Sequence, residues 1–200
     1  MRAKSSSVCY GMDMKQRFYD VIVIGGGPAG MMAAGRAAEC GASVLLLEKN
    51  DSLGKKLLIT GGGRSNVTNA EFDQQLFLEK YGEAKKYLFS AVARFGVPDT
   101  LEFFHGLGMP TKIEDEKRVF PESDSAESVW DALFRYMKHG GVEILSHSEV
   151  VTLEHSDGSV TGVRLKNGEV YQATRYILAT GGKSRPETGS TGDGFRFLKE

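Results

Sequence analysis

Asp20-Val21-Ile22-Val23-Ile24-Gly25-Gly26-Gly27-Pro28-Ala29-Gly30 decides the fold. The β-branched, wholly apolar run 21–24 is the mark of a strand buried on both faces. Glycines break it at once, and residues 31–40, rich in Ala and Met, read as a helix. Gly41 follows where a left-handed C-cap is usual. Residues 43–47 form a second buried strand that closes on Glu48. The unit 20–48 is therefore β–turn–α–β, a crossover that is nearly always right-handed and makes a parallel sheet.

The turn fits Gly-x-Gly-x-x-Gly, and each glycine has a reason. Gly25 permits the sharp strand-to-helix turn, Gly27 lets a pyrophosphate approach the backbone, and Gly30 lets the helix pack on the strand. Pro28 suits the first helical turn, where a missing N–H costs nothing, and Ala29 keeps that turn small. Free amides and the positive helix end then face phosphates. Glu48, at the end of the second strand, can accept both hydroxyls of an adenosine ribose and would repel a 2′-phosphate. FAD or NAD is thus favoured over NADP. The alternative is a purely structural glycine turn in an ordinary α/β protein.

Working outward, the chain has 200 residues, 25 of them Gly, with 25 Lys+Arg against 26 Asp+Glu. Glycine is well above the usual ~7%. The net charge of −1 argues against a basic face built for nucleic acid. Cys9 and Cys40 form no CxxC pair, so neither a disulfide scaffold nor a Cys-rich zinc site is expected. The four histidines, at 105, 139, 147 and 155, lack metal-ligand spacing. The longest apolar run, 21–34, is too short to span a bilayer. Residues 1–17 are Ser-rich and carry no secretory signal; they read as a disordered extension, with 18–200 as one domain. A cytoplasmic location follows as the expectation.

Further along, residues 74–106 look helical, with Leu76, Leu78, Tyr87, Leu88, Val92 and Phe95 supplying buried faces and Pro98-Asp99 a helix start. Residues 111–120 read as a hairpin. Asp124 with Glu127 is a capping pair for a helix that Gly140-Gly141 stops, and Trp130 on it is expected in the core. Residues 142–145 are a strand. Asp157-Gly158 and Asn167-Gly168 are hairpin signals, separating segments 150–154, 160–165 and 170–173 into a three-stranded antiparallel meander. Residues 176–179 return as a separate buried strand.

Two more glycine clusters stand out. Gly61-Gly62-Gly63-Arg64 has no strand–helix frame; its glycines allow positive φ beside a flat ligand, and Arg64, Asn66, Thr68 and Asn69 add donors. It is either a loop along a cofactor or a flexible, solvated one. Gly181-Gly182-Lys183-Ser184 is not a P-loop, because Ile177 stands where that motif needs glycine. It follows a buried strand, where α/β sheets place ligands. No Ser–His–Asp or Cys–His pattern appears, so chemistry has to come from a cofactor.

Taken together, Gly25–Gly30 with Glu48, the meander and Ala179-Thr180-Gly181-Gly182 resemble FAD-binding proteins of the glutathione-reductase type. Stretches 54–69, 118–124 and 181–194 are more specific. They resemble the bacterial NAD(P)/FAD-dependent oxidoreductase family that includes aminoacetone oxidases and bile-acid-pathway reductases. The resemblance implies an α/β fold: a Rossmann-type FAD-binding domain with a parallel sheet and an antiparallel meander. It implies flavin-dependent hydride or electron transfer on an unassigned small-molecule substrate, with NAD(P)H as candidate electron donor. By the same resemblance, Gly25, Gly27 and Gly30 hold the pyrophosphate and Glu48 the ribose. Lys49, Lys56, Gly62, Arg64, Asn66 and Thr68 lie along ribitol and flavin. Val150 offers its backbone to the adenine, Thr180 and Gly181 flank the diphosphate, and Asp193 sits at the next strand-end crossing. Ser65 stands where the family usually has cysteine. Relatives are about twice this length, so the resemblance also implies an incomplete C-terminal side, weak FAD binding by this chain alone and a separately encoded C-terminal half as partner. The rival readings are a truncated, catalytically silent chain with residual dinucleotide binding and a plain NAD-dependent dehydrogenase.

Overall fold

The computed structural model describes residues 18–199, so the expected extension 1–17 lies outside the described residues. The chain opens with β1 (Phe18–Ile24), α1 (Pro28–Glu39) and β2 (Val44–Leu47). β1 and β2 pair in parallel, Val21 opposite Val44 and Ile24 opposite Leu47. Gly41 takes φ +87° just past α1, the left-handed position its place predicts.

α2 (Lys55–Ile59) and a 3₁₀ turn (Thr60–Gly63) lead to the short strand β3 (Thr68–Asn69). Then come α3 (Gln74–Glu79), α4 (Lys85–Arg94), α5 (Val97–Gly106), β4 (Thr111–Glu114), β5 (Arg118–Pro121) and α6 (Ala126–His139). The expected hairpin is β4–β5, and β3 joins it as a third strand in the order β3-β5-β4. The chain ends with β6 (Glu143–Leu145), β7 (Val150–Ser156), β8 (Ser159–Leu165), β9 (Val170–Leu178) and α7 (Asp193–Phe197).

The main sheet has six strands in the order β6-β2-β1-β9-β8-β7. Its left part, β6-β2-β1-β9, is parallel; β7, β8 and β9 form the antiparallel meander. The last meander strand and the returning strand, read apart in sequence, are one nine-residue strand. β9 pairs antiparallel with β8 at Val170 and Tyr171, then parallel with β1 from Gln172 to Leu178. The meander is thereby fused to the parallel sheet.

β1 is buried on both faces, as its composition demands. Val23 packs with Met31, Ala34, Leu46, Leu133 and Met137 on the α1/α6 side. Ile22 and Ile24 pack with Leu45, Leu47, Val163, Leu165 and Phe197 on the other. Each fully buried aliphatic side chain of this kind contributes about 1.5–3 kcal/mol relative to exposure.

Three expectations are corrected. The helical stretch 74–106 is three helices, and its apolar faces are only partly covered: Leu78 and Phe104 are buried, whereas Leu76, Tyr87 and Phe95 are 48%, 77% and 44% exposed. α6 is capped by Ser125, whose hydroxyl accepts from Glu127 N at 3.2 Å; Asp124 has φ +53° and is held by Arg64 and Lys112 instead. Trp130 is half-buried: its indole donates to Leu53 O at 3.0 Å and stacks on Phe134 at 4.7 Å.

Candidate functional site

The site lies at the carboxyl ends of β1, β2 and β9. Gly25 has φ +106°, and a Cβ there would sit 2.6 Å from Ala179 O. A Cβ on Gly30 would sit 1.8 Å from Gly25 O. Both glycines are demanded by chain crossing chain. Gly27 is different: it has φ −74° at the N-cap of α1, and a Cβ there would meet nothing within 4 Å. Glycine at 25 and 30 serves the fold, whereas the bare surface at Gly27 faces open space.

Glu48 leaves β2 with only 6% of its surface exposed. Its Oε2 accepts from Gly26 N at 2.7 Å and its Oε1 from Asn50 N at 2.7 Å. One carboxylate so ties β2 to the glycine turn. Each oxygen keeps lone-pair capacity for a further donor.

Across the cleft, Lys49 Nζ lies 2.7 Å from Asp193 Oδ2 and donates to Thr191 Oγ1 at 2.7 Å. Burial pushes the Asp193 carboxyl up, but its hydrogen bonds from Lys49 and Thr191 outweigh this and hold it below the usual range. Thr180 Oγ1 accepts from Gly194 N at 3.1 Å, pinning α7 to the end of β9.

Gly25, Gly27, Glu48, Lys49, Val150, Thr180, Gly181 and Asp193 line this one cleft. Asn50, Ser148, Ser190 and Phe197 also line it, and sequence reasoning missed them. Asn50 Nδ2 donates to Thr188 O at 3.1 Å, a contact no local signal announces. The other expected residues lie elsewhere. Gly30 is buried beneath the turn and Ala29 is exposed on α1. Pro28, Lys56 and Asn66 border a second cavity. Gly62 has φ +66° and an open side. Thr68 is in β3, opposite Val119.

Arg64 is committed to the small sheet. Its guanidinium donates to Glu114 at 2.9 Å and to Asp124 at 3.2 Å, and stacks on the Phe120 ring at 3.9 Å. These hydrogen bonds raise its pKa further. Arg64 thus braces the 60–63 turn against β4 and β5, and its place along a cofactor remains a proposal.

A glycine turn packed on the returning strand, a carboxylate at the end of β2 and a meander feeding β9 define a Rossmann-type dinucleotide-binding domain. The chain belongs to the HI0933-like family: residues 19–200 match its Rossmann domain. The chain is 37% identical over 179 residues to the 3-dehydro-bile acid delta(4,6)-reductase of Clostridium scindens, covering 88% of this chain and 42% of that one. It is 31% identical over 183 residues to the ribosomal RNA dihydrouridine synthase of Escherichia coli, covering 91% and 44%. Its fold matches an open-conformation flavocytochrome c3 fumarate reductase with a TM-score of 0.65 at 23% identity, covering 92% of this chain and 40% of that one. The chain spans less than half the length of these proteins. It is an FAD-binding domain of the flavin-dependent oxidoreductase type. The residues present fit that cofactor: the bare approach at Gly27 suits a diphosphate, and the spare acceptors of Glu48 suit a diol. No helix among the described residues is long and apolar enough to cross a membrane.

Proposed function

We propose that the chain binds FAD with its adenosine end in the cleft of Glu48, Val150 and Asp193 and its diphosphate over Gly25–Gly30. The flavin half then runs past Lys56 and Asn66 toward Gly62 and Thr68. FAD supplies the two-electron redox chemistry when bound; this chain's residues bind and orient it. Glu48 holds the ribose diol, and the α1 amides with the positive helix end hold the diphosphate. The observation that carries the reading is the contrast between Gly27, open on its outer side, and Gly25 and Gly30, closed by backbone.

The reaction class is reduction of a carbon–carbon double bond conjugated to a carbonyl, with NAD(P)H as electron donor to the flavin. Two relatives support it by name. One is named a 3-dehydro-bile acid delta(4,6)-reductase and the other a ribosomal RNA dihydrouridine synthase. The net charge of −1 favours a small molecule over RNA, because RNA binding draws on many Lys and Arg contacts to phosphate. Cytoplasmic residence fits this nicotinamide-linked reading.

Equilibrium titration of flavin fluorescence tests the binding reading. FAD and ADP should compete for one site, and FMN should not displace either. FMN binding with no effect of ADP would overturn it. For the reaction class, the FAD-loaded chain, reduced anaerobically with dithionite, is mixed with either a cyclic enone or a uridine-containing RNA. Return of the oxidised flavin band with the enone supports a small-molecule reductase; its return with RNA alone would place the chain with the RNA-acting relative.

A further inference from the structure

Beneath the 60–63 turn is a cavity of about 350 Å³ whose mouth shares Pro28, Lys56 and Asn66 with the path assigned to the flavin half. It is separate from the Glu48 cleft. α1 contributes Met32, α5 contributes Phe103 and Phe104, and α6 contributes Val129 and Leu133. The aromatic wall is ordered: Phe103 meets Phe104 edge-on at 5.1 Å and Phe95 at 6.3 Å. Such a volume with an apolar lining and few polar groups is typical of small-molecule pockets.

Its polar lining residues are Lys56, Thr60, Ser65 and Asn66, and the Thr60 hydroxyl already donates to Leu57 O at 2.7 Å. Ser65 is 2% exposed and sits at φ +58°, held by its own N–H donating to Thr60 O at 3.0 Å. Its side chain lines the cavity, and among the described residues no fully buried side-chain oxygen is left without a hydrogen-bond partner. A hydroxyl in apolar surroundings costs free energy unless it finds a partner. At the mouth are Lys56, whose Nζ donates to Ser184 Oγ at 3.1 Å, and Asn66, exposed and without a side-chain partner.

We propose that this cavity is the substrate pocket, taking a flat, largely apolar molecule with a carbonyl oxygen that accepts the Ser65 hydrogen bond. The proposal rests on the reading of the chain as a reductase of conjugated carbonyl compounds and adds where the substrate sits. The cavity reaches Pro28, in the first turn of α1, and Asn66, just past the glycine turn. Both border the path assigned to the flavin half, so a molecule in the cavity abuts it. The aromatic wall selects a planar skeleton. Ser65 selects one acceptor at its end.

Trp130, the only tryptophan, is on α6 beside Val129 and reports on the cavity by its fluorescence. The FAD-loaded chain is titrated with benzylideneacetone, a planar conjugated ketone, and with β-methylstyrene, which lacks the carbonyl. The ketone should quench saturably and bind about tenfold more tightly, the factor one hydrogen bond to a carbonyl is worth. Ser65→Ala should abolish that tenfold difference without altering the melting temperature or the FAD titration. Equal affinity of ketone and hydrocarbon for the unaltered chain would overturn the role of Ser65. No ketone binding while FAD titrates normally would overturn the pocket and leave the cofactor reading standing. Ketone binding only when FAD is absent would show the flavin itself in the cavity and overturn the proposal. Ketone binding without any FAD binding would count against the cofactor reading alone.

Discussion

Lys49 Nζ sits 2.7 Å from Asp193 Oδ2, joining the residue after Glu48 to the first turn of α7 across the mouth of the cleft. Both side chains are about three-quarters buried, so the pair is less screened than a surface one. A Lys49→Met, Asp193→Asn double-mutant cycle followed by urea denaturation should give a coupling of about 1 kcal/mol. The pair's pH dependence has a definite sign. Asp193 is held below its ordinary value of 3.8, so its contribution is present above that pH and is lost as pH falls through the depressed value. Stability should therefore be insensitive to this pair between pH 6 and 8, and Asp193→Asn should flatten the acid limb below about pH 4.

The two kinds of glycine separate by substitution. Gly30→Ala places a methyl 1.8 Å from Gly25 O and should cost about 3 kcal/mol or unfold the chain. Gly27→Ala meets nothing and should change stability by no more than about 1 kcal/mol, as for an N-cap change. It should still weaken FAD and ADP at least tenfold, because the methyl occupies the phosphate approach. Calorimetry paired with the fluorescence titration checks both. A Gly27→Ala chain that binds FAD normally would remove the diphosphate from this turn.

Glu48 accepts from two backbone amides. In Glu48→Gln one oxygen becomes an NH₂ group that faces an N–H, leaving a donor unsatisfied. A loss of about 1–3 kcal/mol in chemical denaturation is expected, together with weaker ADP binding. Glu48→Gln with unchanged ADP affinity would show that the ribose lies elsewhere.

Tyr136 donates to Glu39 Oε2 at 2.7 Å. Burial, then this hydrogen bond, pushes its phenol up to about 12. Its contribution to stability is fully present below pH 10 and lost as pH rises toward 12. Ultraviolet titration of the phenolate band should show a late component to which Tyr176, also pushed up by burial, contributes, and Glu39→Gln should lower only the Tyr136 part of it.

The turn and Glu48 were legible in the sequence because their physics is local. A strand, three spaced glycines and a carboxylate at the next strand end leave few alternatives. The continuity of β9 was not legible. Between Tyr171 and Gln172 the strand changes partner from β8 to β1, and a change of partner leaves no trace in the alternation of one segment. The partners of Arg64 were not legible either: its acceptors Glu114 and Asp124 are 50 and 60 residues away. That contact also explains the cap of α6. Asp124 is spent on Arg64 and Lys112, so Ser125 takes the cap. Leu76, Tyr87 and Phe95 have the spacing of a buried face, but spacing states that a face seeks cover and not which segment provides it.

The dual pairing of β9 also sets an order of events during synthesis. Ala179, whose carbonyl walls the Gly25 turn, leaves the ribosome long after the turn itself. Until then β1 has β2 beside it but lacks its other neighbour, with the edge that later pairs Gln172–Leu178 unsatisfied. The nucleotide cradle is thus among the last parts of the sheet to be completed. A nascent chain stalled anywhere before β9 would present an open, apolar strand edge of the kind chaperones cover.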